Sequence, residues 1–562
     1  MGDTAASVAG GAARTRLARL PRVAGARRVA DAFRAIPPEA VLIGLGLFVL
    51  LAAFVAADPA AHVTFSVSPF TDEAFNAVNA RNSVQLGPWS TDEWNLYLVN
   101  LPFSLVEAAA FRILGVGMTE ARLPMIVCVS TTAGAIVWGL RGLVGRGGAL
   151  FAGLAFACSS LVLYYGRLAF LEDLVVLALA LGTLVLARDG RLTVRWGMVS
   201  GACYAVAMGT KPSASFAAVG ILVAVALGLA WRDRRAARWL AGAIIAIVVA
   251  GLAWAILIWL PNRDAVSMDL RIWEQFQLRL APREMWRSAI GYLRGSDGVV
   301  GPMLAPLLGL SAAGIVAIVA LHRRLGRAEA RLALAALGWA AFGFGILMVV
   351  QYRPNRYVVP LVPALAILAA IGLHVAGLWL LDRLGKRADP TSETAVEKGS
   401  ETPSGAFSAA AAATVEVPIG GELAGVARSG SKFGRLARLA LPLLTTIAIL
   451  VAVAPGLRSY ATWVNRPAYD LTHIQDDFAT LVPAGDTVAG RDSALFFMKS
   501  KAVTLITQVA NEADLYARGT RYYLLPADSA APRGVAESIW AARQRVRCAD
   551  YGGVTECLFL VP

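Results

Sequence analysis

Ionisable side chains are sparse in the apolar part of this sequence, and a few of them stand together in types that suit group transfer. Asp72 and Glu73 occur in Phe70-Thr71-Asp72-Glu73-Ala74-Phe75, shortly after an apolar run at 40–57. Glu172 and Asp173 close the segment Tyr164-Tyr165-Gly166-Arg167-Leu168-Ala169-Phe170-Leu171-Glu172-Asp173. Lys211 sits in Gly209-Thr210-Lys211-Pro212-Ser213, and Arg353 and Arg356 in Gln351-Tyr352-Arg353-Pro354-Asn355-Arg356-Tyr357. A carboxylate placed beside a hydroxyl can take its proton as a general base. Lysine and arginine brought together can hold a phosphate leaving group. Two carboxylate clusters also offer oxygen ligands to a divalent cation, which would draw on Asp72 and Glu172. Each group has a plainer role as well. Thr71 reads as a helix N-cap with acids in the first turn complementing the helix dipole, and the same tripeptide recurs at Thr91-Asp92-Glu93. A lone cation at the end of an apolar helix usually snorkels to lipid head groups.

The elements that position these residues are membrane helices. The 562 residues are 57% hydrophobic and 16% charged, with a mean hydropathy of +0.60, which no soluble core of this size absorbs. Reading for apolar runs of about 17–25 residues gives about eleven spans: 40–57, 120–140, 147–165, 174–187, 196–210, 212–231, 239–260, 299–321, 332–350, 357–381 and 437–455. The expected fold class is thus a polytopic α-helical membrane protein. Seven arginines precede the first span, and the short loops 141–146, 188–195, 232–238 and 323–331 hold two, three, four and four more. The positive-inside rule puts the N-terminus in the cytoplasm and, after eleven crossings, the C-terminus outside. The acidic pairs and the three cations then share the outer face.

The chain divides into a basic cytoplasmic arm (1–38), a membrane module (39–382) with long outer loops at 58–119 and 261–298, a disordered Ala/Gly/Ser/Thr/Glu-rich cytoplasmic linker (383–435), a last span (436–456) and a small outer α/β domain (457–562). In that last domain, helices at 471–481 and 492–500 alternate with strands at 487–489, 503–507 and 522–525. The segment 271–290, with Trp273, Phe276, Met285 and Trp286 among charged residues, reads as interfacial. The first span lies too deep in the chain for a cleavable signal and reads as a signal anchor. The net charge of +14 suits anionic lipid at the inner leaflet, and nucleic acid is not expected as a partner. Cys128, Cys158 and Cys203 fall in spans; Cys548 and Cys557 flank a Tyr-Gly-Gly turn, as a disulfide or as two free thiols. His62 and His473 have no metal-ligand company, and no Walker, Rossmann or zinc pattern occurs, so nucleotide-driven chemistry is unsupported.

Several of these marks, in this order and topology, resemble the GT-C superfamily of integral membrane glycosyltransferases. The nearest branch is that of protein O-mannosyltransferases, aminoarabinose transferases and RgtA/B/C/D-like enzymes. The marks are Asp72-Glu73 followed by Ala80-Arg81-Asn82, the entry Arg122-Leu123-Pro124, the turn Tyr165-Gly166-Arg167-Leu168-Ala169 through Glu172, the turn Thr210-Lys211-Pro212, and Arg356-Tyr357-Val358-Val359-Pro360 through Pro363. The likeness covers roughly 40–380. It implies a sugar donor linked to a polyprenyl phosphate, Asp72 as the catalytic acid of the first loop, Glu172 (with Asp173 one place off) as that of the second, and Lys211 and Arg356 facing the phosphate. Attack opposite the leaving phosphate would invert the anomeric carbon. The acceptor would be a lipid, a glycan or a protein in the bacterial cell envelope, with the enzyme in the plasma membrane. No cofactor beyond a possible divalent cation is implied.

The rival readings are a transporter or flippase and a ligase of lipid-linked glycans. A transporter usually keeps ionisable groups along a path within its spans, whereas here the span interiors offer only His374, and paired repeats with broken helices are not evident. A non-catalytic assembly subunit would be indifferent to the loss of Asp72.

Overall fold

The computed structural model of the chain describes residues 36–60, 71–89, 96–230, 233–267, 281–294, 301–350, 354–388, 432–470, 478, 480–483, 485–490, 501–504, 514–551 and 554–562. Helices occupy the apolar runs. They are α1 (Pro38–Ala52), α2 (Thr71–Gln85), α3 (Leu101–Leu114), α4 (Met118–Ala157), α5 (Ser160–Tyr165), α6 (Leu171–Leu184), α7 (Val194–Thr210), α8 (Ala214–Val225), α9 (Arg234–Trp254), α10 (Pro282–Arg294), α11 (Gly301–Ala320), α12 (Arg327–Val349), α13 (Val362–Ala388) and α14 (Lys432–Val464). Among the described residues, five helices are long and apolar enough to cross a membrane: Met118–Ala157, Arg234–Trp259, Arg327–Val349, Asn355–Arg383 and Pro442–Val464. Pro38–Ala52, Ala214–Gly228 and Leu304–Ala320 are shorter apolar helices. The chain is an integral membrane protein.

Local sequence explains the main departures from the predicted runs. The predicted runs 120–140 and 147–165 are joined at Gly145, where φ is +72°, a conformation glycine adopts without strain. The chain folds back there, so that Gly153 packs against Val137 and the Ala133 carbonyl, and the second run is itself broken between Ala157 and Ser160. α1 opens on Pro38, whose fixed φ suits the first helical position, and gives way to turns after Ala52, short of the expected Ala57. The segment predicted as a linker is shortened at both ends, because α13 runs on to Ala388 and α14 starts at Lys432.

The C-terminal domain is built on one sheet, with strands β1 (Thr487–Gly490), β2 (Lys501–Thr504), β3 (Tyr522–Pro526), β4 (Gln544–Tyr551) and β5 (Val554–Leu560) in the order β2-β1-β3-β5-β4. β1 is parallel to β2 and β3, while β3, β5 and β4 are antiparallel. Strand alternation gives the sheet two buried faces. Val488, Leu524 and Leu558 join a core with Ala74, Ala77 and Ala80 of α2 and Phe103 and Phe111 of α3. Ala489, Tyr523, Leu525 and Phe559 pack with Trp540 on the other side. Cys548 and Cys557 face each other across the β4–β5 hairpin and form a disulfide. The helix predicted at 492–500 and most of that at 471–481 lie outside the described residues, as do His62 and His473.

Candidate active site

α2 begins at Thr71 and carries Asp72 in its first turn; the Asp72 side chain lies outside the described residues. Glu73 is fully buried, and three donors hold its carboxylate. Arg122 of α4 donates from Nε to Oε1 and from Nη2 to Oε2, both at 2.8 Å, and the Ala169 N–H donates to Oε1, also at 2.8 Å. Paired N–H donors on one carboxylate fix geometry as well as charge. The remaining Arg122 nitrogen, Nη1, donates to the carbonyls of Val55 and Ala57. Glu73 thus ties the first turn of α2 to α4 and to the turn before α6. That arrangement suits a tether for Asp72 better than a base.

The second acidic pair splits into two chemical states. Glu172, 2% exposed, accepts from Lys211 Nζ at 2.5 Å, and Arg356 Nε lies 3.4 Å from the same oxygen. Burial pushes the Glu172 carboxyl up, but Lys211 and then Arg356 outweigh it and hold the group below its ordinary range. Lys211 also lies 3.7 Å from the centre of the Tyr357 ring, and the Arg356 guanidinium lies over Phe170 and Tyr357. Lys211 is only 5% exposed; it does not snorkel. Two cations, Lys211 and Arg356, thus meet at the Glu172 carboxylate.

Asp173, the next residue, is fully buried, and neither of its carboxyl oxygens has a hydrogen-bond partner among the described residues. Burial, then Glu172 and Glu73, raise its pKa well above the usual range. Glu107 of α3 is in the same state, raised by burial and then by Glu73. Both acids thus bind their protons more tightly than ordinary carboxyls do, whereas Glu172 binds its proton less tightly. Arg353 lies outside the described residues.

Beside the cationic pair is a small, partly open pocket. Ala214, Ala217, Ile346, Leu347 and Leu361 make its wall mostly apolar, and Lys211 and Tyr357 are among its polar groups. Among the described residues, which leave out the Asp72 side chain, no three His, Cys, Asp or Glu side chains converge, and a cation on Glu172 would compete with Lys211 and Arg356 for its carboxylate.

The sequence motifs contained Arg122, Arg167 and Tyr357 without singling them out as site residues, and Glu107 was missed altogether. The partners that give Arg122 and Lys211 their roles are 49 and 39 residues away, beyond any spacing rule. For Glu107, a lone acid in an otherwise apolar helix was the available signal.

Comparison with known proteins finds a family match over part of the chain and a shared fold. Residues 102–259 match a family described as dolichyl-phosphate-mannose-protein mannosyltransferase. The fold is that of ArnT from Cupriavidus metallidurans. The structure of ArnT bound to undecaprenyl phosphate matches with a TM-score of 0.58 at 17% identity, over 92% of this chain and 97% of ArnT. Its apo structure matches with a TM-score of 0.59 at 16% identity over the same shares. No curated protein sequence matches the chain. The stretch matched by that family, 102–259, includes Glu107, Arg122, the Glu172 turn and Lys211.

Proposed function

We propose that this chain is a membrane glycosyltransferase of the GT-C type, moving a sugar from a polyprenyl-phosphate donor to a hydroxyl of a lipid, glycan or protein on the extracytoplasmic face of a bacterial plasma membrane. The observation that carries this reading is the position of buried Lys211. Its Nζ sits between Glu172 and Tyr357, and its side chain helps line a mostly apolar cavity. An anionic head joined to an apolar tail is the kind of ligand such a site fits. That ArnT was captured with undecaprenyl phosphate on the same fold supports the choice of lipid.

In this mechanism Lys211 and Arg356, with Arg353 from the same turn, hold the donor phosphate. Glu172 positions the first two. Asp72 takes the proton of the acceptor hydroxyl as its oxygen attacks the anomeric carbon. The bond from that carbon to the phosphate oxygen breaks, and the polyprenyl phosphate leaves with the electron pair. Attack from the opposite side inverts the anomeric centre. The cations stabilise the charge that grows on the phosphate, so no strong acid is needed. The topology that serves this reaction is the one expected from the arginine distribution: eleven crossings, a cytoplasmic N-terminus and an outer C-terminal domain.

The test is transfer by purified protein from a panel of polyprenyl-phosphate sugars to membrane extract, with the product's anomeric configuration read by NMR. Inverted product supports the reading. Retained configuration, or release of whole glycans in place of single sugars, would replace it with a different mechanism or with a ligase.

A further inference from the structure

The last helix is separated in sequence from the membrane module, yet its C-terminal end reaches the residues that hold the first long loop. The Arg167 guanidinium lies 4.2 Å from the centre of the Trp463 ring of α14. Arg167 is fully buried. Its Nη1 donates to the carbonyls of Phe54 and Ala57 and its Nη2 to that of Asp58. The Ala57 carbonyl also accepts from Arg122, which grips Glu73. The Ala169 N–H that completes the Glu73 site lies two residues after Arg167. One continuous set of contacts therefore runs from Trp463 through Arg167 to the base of the loop that bears Asp72.

Other contacts hold α14 in this place. Phe54, Tyr164, Tyr460 and Trp463 form an aromatic cluster with centroids 5.3–6.4 Å apart. The Tyr164 and Ser459 hydroxyls are 2.7 Å apart. Beyond the helix, the Asp58 N–H donates to the Ala468 carbonyl and the Asp58 carboxylate accepts from the Asp470 N–H at 2.7 Å. A Cβ on Gly456 would stand 2.0 Å from the Cys158 carbonyl oxygen, so α14 approaches this end of the module as closely as backbone allows.

We infer that α14 is part of the active-site scaffold and that Trp463 is a positioning residue. Its ring sets the Arg167 guanidinium, and Arg167 sets the 54–58 carbonyls from which the Asp72 loop departs. A desolvated guanidinium over an indole face is a strong version of this contact, and a carbonyl cluster with one fewer organiser loosens locally before the fold is lost. The kinetic part of this inference rests on the proposed role of Asp72; the structural part does not.

The experiment uses the full chain in nanodiscs, comparing wild type with Trp463→Leu, Trp463→Phe, Asp58→Ala and, as a control at the far end of α14, Leu443→Ala. Amide hydrogen exchange over 54–58 and α2 is measured beside transfer kinetics. In Trp463→Leu, exchange over these segments rises about tenfold. The same variant loses kcat by about 10- to 100-fold with donor KM within about twofold, as expected for misplacement without lost substrate contacts. Trp463→Phe, which keeps an aromatic face, recovers most of both. Asp58→Ala, which cuts the second tie, moves both in the direction of Trp463→Leu, and Leu443→Ala moves neither. Unchanged exchange over 54–58 in Trp463→Leu overturns the inference, as does faster exchange with unchanged kcat. Failure of the sugar-transfer reading is told apart, because wild type itself would then turn over no donor while the exchange comparison still decides the Trp463 contact.

Discussion

Removing Lys211 and Glu172 singly and together separates what this pair does for the fold from what it does for the reaction. In Lys211→Met the Glu172 carboxylate, 2% exposed, keeps only Arg356 at 3.4 Å. Breaking a buried pair by deleting one partner costs about 3–5 kcal/mol, and the remaining arginine puts this case at about 3 kcal/mol. Glu172→Gln leaves Lys211 and Arg356 side by side without their anion, at a similar cost. The double variant removes the buried lysine and its carboxylate together but still takes Glu172 from Arg356, so it regains only part of the stability lost in the single variants. Activity follows another pattern. Loss of a cation from a developing phosphate charge costs about 10²–10³ in rate, and the double variant has no Lys211 to give it back. Thermal unfolding in detergent measures the first quantity, and transfer at saturating and subsaturating donor the second. Recovery of activity together with stability in the double variant would refute the phosphate role of Lys211 and leave the pair as a structural bridge.

Buried Glu107 and the C-terminal hairpin give two further expectations. Folded Glu107 binds its proton more tightly than the unfolded chain does, so its contribution to stability is complete at pH below the ordinary glutamate range and is lost as pH rises toward its folded pKa. Glu107→Gln, which takes up no proton on folding, is therefore more stable than wild type at neutral pH, with a flatter decline in stability as pH rises above the ordinary glutamate range; parallel pH curves for the two proteins would sink this assignment. Replacing both Cys548 and Cys557 by serine opens a cross-link of sequence separation 9 and lowers the stability of the C-terminal domain by about 2–4 kcal/mol. Limited proteolysis reads this as faster cleavage within 514–562 while the membrane helices stay intact, and equal cleavage rates with and without the disulfide would count against it.

The helices were legible in the sequence because apolar runs bounded by arginines leave the chain little choice in a membrane. Their joints were less so. Two arginines marked the turn between the second and third runs, but not that a single residue at positive φ, Gly145, reverses the chain there. In the sheet, β1 and β3 announced themselves as apolar runs, while β4, reading Gln544-Arg545-Val546-Arg547-Cys548, is an edge strand whose polar side hides its alternation. Within the candidate site, residue types pointed to acids and cations, but pairing did not follow from them. Glu73 and Glu172 each sit in an adjacent acidic pair, and only the tertiary arrangement gives one to Arg122 and the other to Lys211 and Arg356. Likewise nothing in the sequence separates Glu172, whose pKa is lowered, from its neighbour Asp173, whose pKa is raised; burial and the cations beside Glu172 do.

The most direct test of the central claim is donor turnover by purified wild-type protein and by Asp72→Asn, each supplied with polyprenyl-phosphate sugars and membrane extract as acceptor. Asparagine keeps the size of the side chain and removes the base. The account predicts sugar transfer by wild type from at least one donor and a loss of about 10²–10⁴-fold in the variant, with the folded state unchanged. Turnover by Asp72→Asn at the wild-type rate, or no turnover of any donor by folded wild-type protein, would contradict it.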